Sequence, residues 1–203
     1  PHDEPGTAAD VCDMTTIYHL THFSNLPGIL NAGCICSDGE CKRRGLQPTG
    51  IAYQDLKEHR ARRRVQRLIG GPIATGGVLA DYVPFYFTNR SPMLYAIHRD
   101  YVEGYRGDQR EVVYLVSSVE QAVGIGFPWC FTDGHAVEAF TDFFDNLQDL
   151  NKVNWEIIRS WSWHDRFDDL DRKRRKQAEF LVHRFVPWTA VKTIGGHRSG
   201  NGG

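Results

Sequence analysis

Glu179 is the side chain whose setting points most directly to chemistry, because it is a carboxylate inside an apolar run, AEFLVHRFV (Ala178 to Val186). Strand alternation puts Glu179, Leu181, His183 and Phe185 on one face and Ala178, Phe180, Val182 and Arg184 on the other. An unpaired buried carboxylate is costly, so Glu179 either faces a cleft at a strand mouth or closes a structural ion pair. The pattern by itself favours the ion pair. Tyr18-His19-Leu20-Thr21-His22 gathers polar donors at a strand-to-turn junction just before a helix start. Free N–H groups there suit a ligand with ribose hydroxyls or phosphate, although a histidine satisfied within the core accounts for the same pattern. Cys34-x-Cys36-x4-Cys41 resembles half a zinc site, but neither spacing matches the common structural patterns, so thiols and no metal are expected. The sequence has no GxxxxGK[ST], no HExxH and no GxSxG.

These groups need elements to position them. Thr16 to His19 reads as a short strand. A helix is expected from Ser24 as N-cap, with Pro27 in its first turn and Gly33 at its end. Gly50 to Leu68 has a helical pattern with Ile51, Leu56 and Val65 as apolar anchors among arginines. Val83 to Phe87 is strand-like, and Pro84 assigns it to an edge or a strand start. Glu111 to Ser117 (EVVYLVS) reads as an interior strand. Ala136 to Leu150 spaces its phenylalanines as a helix would, Asn154 to Trp161 predicts a second short helix, and Ala178–Val186 and Ala190–Ile194 predict strands. Helices and strands mix without regular βαβ alternation, which indicates an α+β sheet domain. A single domain is expected over 1–203, with flexible ends at 1–13 and 196–203.

Composition removes several classes. The chain is 41% hydrophobic and 24% charged, with 11 Phe, 8 Tyr and 5 Trp, which argues against disorder. No apolar run reaches the ~18–20 residues of a membrane span. The first residues show no secretory signal, and five unevenly placed cysteines fit reduced thiols, so a cytoplasmic protein is expected. The net charge of −1 conceals segregation: Lys42 to Arg67 holds nine basic residues against two acidic, and Asp133 to Asp171 holds ten acidic against three basic. Arg172 to Lys176 turns basic again. Such blocks permit a local polyanion site, whereas the plainer account is solvated helix faces.

Four blocks, in order, resemble the DarT family of DNA ADP-ribosyltransferase toxins, which are paired with DarG macrodomain antitoxins. They are YHLTHFSNLPGIL (Tyr18 to Leu30), IAYQDLKEHRARRRV (Ile51 to Val65), DYVPFYFTNRSPMLYAIH (Asp81 to His98) and RKQAEFLVHRFVPW (Arg175 to Trp188). The similarity spans almost the whole chain. One departure is that the family continues into a longer segment after the last strand, where this sequence becomes glycine-rich at Gly195-Gly196.

The resemblance implies a compact ADP-ribosyltransferase fold, with a central split sheet flanked by helices, that uses NAD as co-substrate. It places the catalytic glutamate at Glu179 and an arginine for NAD engagement and base activation at Arg60. NAD contacts fall on His19, Leu20, Thr21, Gly28 and Cys36, with a binding element from Gln47 to Val65. A substrate-side loop lies between Gly134 and Glu179. Breaking the nicotinamide–ribose bond develops positive charge on the ribose, which a facing carboxylate stabilises most in the transition state. Arginine is an unlikely base at its usual pKa, so orientation is the first role expected of Arg60. Tyr82, Phe85, Tyr86, Phe87, Asn89, Arg90 and Met93, beside Arg63 and Arg64, are the groups expected to stack on and pair with unstacked bases, although core packing accounts for many of the aromatics. The function implied is transfer of ADP-ribose to a base, thymine first, in single-stranded DNA by a monomeric toxin with a DarG-type partner. The alternatives are an RNA or protein acceptor, NAD hydrolysis, or a catalytically silent nucleic-acid-binding module using Arg60 to Arg67.

Overall fold

The sheet is assembled from strands far apart in sequence, and its order leaves one strand between the first polar strand and the one that carries the carboxylate. In this computed structural model the described residues are 15–52, 54–68, 73, 76–90, 109–162, 164–165 and 167–196. The strands are β1 (Thr16–His22), β2 (Cys34–Cys36), β3 (Tyr82–Tyr86), β4 (Val112–Ser118), β5 (Trp129–Thr132), β6 (Phe143–Phe144), β7 (Glu179–His183), β8 (Phe185–Pro187) and β9 (Thr193–Gly196). Seven of them form one antiparallel sheet in the order β6-β5-β7-β3-β1-β4-β9, and β2 pairs with β8 separately. β1 runs against β4 from Thr16↔Ser118 to His22↔Val112 but meets β3 only at Tyr18↔Tyr86. The sheet is therefore split between β1 and β3.

That split resolves the placement of Pro84, which lies in the middle of an interior strand and neither at the expected edge nor at a strand start. The Pro84 carbonyl accepts from His19 Nδ1 at 2.9 Å, so this residue's polar edge faces the gap toward β1. In an antiparallel strand the N and C=O of a residue point to the same side, so the missing N–H costs no bond to β7.

Alternation along β7 gives it two buried faces. Phe180 and Val182 pack with Ile17, Val83, Phe85 and Phe131, while Leu181 packs with Leu79, Tyr82, Cys130 and Phe143. Phe180 stacks on Trp129 with centroids 5.5 Å apart. Each such side chain contributes roughly 1.5–3 kcal/mol by leaving water.

The helices are α1 (Leu26–Ala32), α2 (Asp38–Arg44), α3 (Gln54–Arg62), α4 (Val119–Gly124), α5 (Trp155–Arg159) and α6 (Arg172–Lys176). Ser24 is not the N-cap of α1: a 3₁₀ turn over Phe23–Asn25 intervenes, and the His22 side chain accepts the Ser24 N–H. Gly33 ends α1 at φ 65°, a left-handed position that suits glycine. α3 stops at Arg62, short of the expected Leu68, because Arg63–Val65 turns to bond Gly77 and Leu79 and buries Val65.

Two expectations fail for tertiary reasons. Ala136–Leu150 is not a helix: Phe143 and Phe144 pair with β5, Phe140 is exposed, and a 3₁₀ helix covers Leu147–Lys152. Arg174 pins the preceding turn by bonding Asp133 and Thr141, while Asp133 accepts the Asp142 N–H. Gly134 is required there, since a Cβ would lie 2.9 Å from Arg174 Cγ. The single strand expected over Ala178–Val186 breaks at Arg184, whose φ is +67°. Glu40 holds that residue through bonds of 3.1 and 3.4 Å. The strand expected over Ala190–Ile194 begins later, at Thr193, after a 3₁₀ turn at Trp188–Ala190. The architecture is α+β, a mostly antiparallel split sheet with helices around it. The termini read as flexible in the sequence lie outside the described residues, except Gly196, which pairs with Val113.

Candidate active site

A cleft of about 330 Å³ opens along the split between β1 and β3. His19, Leu20 and Thr21 of β1, Gly28 of α1, Cys36 of β2 and Arg60 of α3 all line it, as do Pro84 and Tyr86 of β3. Every position expected to contact NAD is thus brought to one cavity. Its size falls within the range of small-molecule sites. A Cβ on Gly28 would touch nothing within 4 Å, so the space beside it belongs to the cleft.

The stretch 46–52 closes the cleft from the other side. Asn25, which the sequence reading passed over, fixes it. Its Oδ1 accepts the Thr49 N–H at 2.8 Å, and its Nδ2 donates to the Thr49 carbonyl and to Thr21 Oγ1, each at 3.0 Å. An amide supplies an acceptor and two donors from one planar group, which lets Asn25 serve the N–H and C=O of Thr49 together. Nothing in the local pattern SNLPG distinguishes this use from capping.

Burial pushes the His19 imidazole below its ordinary pKa, as does Arg60, against the opposing pull of the Pro84 carbonyl and Asp38. A carbonyl can only accept, so the proton sits on Nδ1. Cys34 and Cys36 bring their sulfurs to 3.6 Å, and burial raises the Cys36 thiol to about 12. Among the described residues no three metal-ligating side chains converge.

Glu179 and Arg60 form a buried pair across 119 positions of sequence. Arg60 Nη1 donates to Glu179 Oε2 at 2.9 Å, and the Ala136 N–H donates to Oε1 at 3.1 Å. Thr132 Oγ1 accepts the Glu179 N–H at 3.0 Å. Tyr86 is the β3 partner of Glu179 in register. Glu179 is fully buried and lies behind Arg60, which is 8% exposed and faces the cleft. Burial opposes the guanidinium charge, but Glu179 and Tyr86 outweigh it and keep Arg60 protonated. Arg60 Nη2 is buried with no hydrogen-bond partner among the described residues. Such an orphan donor costs roughly 1–3 kcal/mol, which a ligand acceptor would recover. Glu179 therefore takes the ion-pair arrangement, and it is Arg60, not the carboxylate, that lines the cleft.

The groups assigned to nucleic acid scatter. Tyr82 is 1% exposed, donates its hydroxyl to the Gly76 carbonyl and packs against His183, so it offers no face to a base. Phe85 and Phe87 belong to the core, and Tyr86 faces the cleft. Arg63 spends its donors on the carbonyls of Ala136 and Glu138 at 3.4 and 3.2 Å. Arg64 and Asn89 are exposed, and so is Arg90, whose guanidinium lies 3.2 Å from the Trp161 ring centroid. Met93 lies outside the described residues.

The family model described as DarT, ssDNA thymidine ADP-ribosyltransferase, matches residues 18–201. The DNA ADP-ribosyl transferase of Thermus sp. (strain 2.9) is 41% identical over 182 residues, covering 90% of this chain and 81% of its own length. The structure of Thermus sp. 2.9 DarT in complex with ADP-ribosylated ssDNA superposes with a TM-score of 0.80 at 39% identity, over 91% of this chain and 82% of that one. The same relative's complex with NAD+ gives a TM-score of 0.76 at 37% identity, over 92% and 84% of the two chains.

Proposed function

The chain belongs to the DarT family of ssDNA thymidine ADP-ribosyltransferases, and from that membership we propose that it transfers ADP-ribose from NAD to a thymine base in single-stranded DNA. The observation that carries this into the site is Arg60, paired with Glu179 on one arm and orphaned on the other at a cleft wall. NAD supplies the ADP-ribosyl group, with nicotinamide as the leaving group. The free guanidinium arm binds an anionic oxygen of the diphosphate, since a planar fork suits phosphate. His19, Leu20, Thr21, Gly28 and Cys36 line the remaining contact surface, under the 46–52 strap that Asn25 holds.

Engagement of Arg60 by substrate frees Glu179 Oε2 to accept a hydrogen bond from a ribose hydroxyl and to face the charge that develops at the anomeric carbon. The bond to nicotinamide breaks with its electron pair leaving on nicotinamide, and the base nitrogen forms the new bond. The proton of that nitrogen passes to the Glu179 carboxylate, with Arg60 orienting the base. Unpaired bases are needed because the reacting edge is otherwise occupied in a duplex.

The same membership supports a toxin role, a DarG-type macrodomain antitoxin, a cytoplasmic site of action and a single-domain monomer. Among the described residues no helix is long and apolar enough to cross a membrane.

The test is incubation with labelled NAD and thymine-containing strands. Label is expected on DNA for wild type, and Glu179→Gln should reduce transfer by at least ~10²–10³-fold while remaining folded. Label on RNA or protein alone, or free ADP-ribose alone, would overturn the acceptor assignment.

A further inference from the structure

Trp161 is 78% exposed, which is unusual for so large an apolar ring, and Arg90 already covers one of its faces at 3.2 Å. Its neighbours in sequence are held. Lys176, only 1% exposed, donates through Nζ to the carbonyls of Ile157, Ile158 and Ser160 at 3.1, 2.7 and 2.6 Å. Arg172 bonds Ser160 Oγ at 2.7 Å and the Ser162 carbonyl at 3.0 Å. The indole is thus displayed from a backbone fixed on both sides of it, so a ligand stacking there would meet a ring already in place.

The surroundings select the ligand. Burial first, and then the charges of Arg90 and Arg172, hold the Lys176 ammonium down at about 8, so both guanidinium groups lie near that buried anchor, with Asp169 at 3.8 Å from Arg172 as that arginine's counter-ion. An exposed aromatic face backed by a guanidinium suits a planar base on a phosphate backbone. The stack also sits at the reacting end of the sheet. Arg90 follows Tyr86, the register partner of Glu179, by four residues, a reach of at most about 14 Å. Lys176 precedes Glu179 by three.

We propose that the Arg90–Trp161 stack is a base-binding subsite that holds a nucleotide flanking the modified thymine, with Lys176 and Arg172 as positioning residues. This rests on the assignment of single-stranded DNA as substrate. Trp161 takes one face of the flanking base, Arg90 backs the indole, and the nearby guanidinium groups balance the adjacent phosphate. The subsite is indifferent to base identity, because every base has a stacking face.

Anisotropy titration of labelled thymine-containing strands, without NAD, tests it. A single abasic nucleotide is moved through the positions on either side of the thymine. Wild type is expected to lose roughly 5- to 150-fold in affinity at one flanking position. Trp161→Ala should bind the intact strand weakly by a similar factor and be insensitive to that abasic position, and Trp161→Phe should restore most of the response. Equal abasic sensitivity in wild type and Trp161→Ala, or none in either, overturns the subsite. Wild type that shows the abasic pattern yet transfers no ADP-ribose to DNA would keep the subsite and refute the proposed reaction. Wild type that binds no single strand refutes both.

Discussion

Arg60 is asked to be two things, the counter-ion of a buried carboxylate and a donor with a free arm at a cavity wall. A lysine could satisfy the first demand as a point charge but not the second. Arg60→Lys should therefore fold and lose roughly 10²-fold in transfer, measured as initial rate at saturating DNA. A loss below about threefold would mean that charge alone serves.

Two histidines near this pair make stability acid-sensitive. Burial lowers the pKa of both His19 and His135. Below the unfolded value near 6.5 the unfolded chain takes up protons that the native chain refuses, so stability falls as pH drops through that value. It is fully present above 6.5. Urea unfolding at pH 7.5 and 5.5 should show a loss of up to about 1 kcal/mol per histidine at the lower pH, and His135→Gln should remove its share and leave that of His19. An unchanged pH slope in His135→Gln would show that this residue titrates normally in the native state.

At the level of elements, a few polar joints override local preference. The turn before β6 is held because Asp133 takes the Asp142 N–H that a helix over 136–150 would use, while Arg174 ties Asp133 to Thr141. The joint between α2 and the β7–β8 kink is Glu40, 3% exposed and bonded to Arg184, Arg44 and Arg43. Arg184, and then the other two guanidinium groups, hold its carboxyl down at about 2. Its stabilising effect is present above pH 4.5 and is lost as pH falls toward 2. Glu40→Gln should cost about 3–5 kcal/mol at pH 7 and much less near pH 2, read from denaturation midpoints. A constant cost across that range would locate the effect in packing and not in charge.

Over the whole molecule, the charge blocks are largely spent on one another. Arg67 pairs with Asp145, and Arg174 and Arg175 pair with Asp133, Asp169 and Asp171. Arg43 and Arg44 pair with Glu40, and Arg60 with Glu179. The polyanion stripe suggested by sequence thus shrinks to a few exposed cations, Arg64 and Arg90 among them. Salt titration of single-strand binding should accordingly lose about 0.7 from the slope of log K against log salt in Arg64→Gln. Arg67→Gln should leave the slope alone and lower the melting temperature. A slope change in Arg67→Gln and none in Arg64→Gln would reverse that assignment.

The residues of AEFLVHRFV, YHLTH and KEHRARRRV carried the strand of Glu179, the first polar strand and the helix of Arg60 in their own local patterns, because alternation, turn chemistry and periodicity act within a few residues. The α+β class was legible for the same reason, and the resemblance of four blocks carried the NAD and DNA reading. Tertiary structure alone decided which groups meet. The Arg60–Glu179 contact joins residues 119 positions apart, the Glu40–Arg184 joint spans 144, and the Arg174 clamp turns a helical phenylalanine pattern into a strand. Tyr82 and Arg63 look available in sequence, yet a core cluster and two backbone carbonyls claim them. Trp161 had no motif to mark it. Long-range pairing of buried polar groups outweighs local propensity, because leaving one such group unsatisfied costs more than the few tenths of a kcal/mol per residue that separate helix from strand.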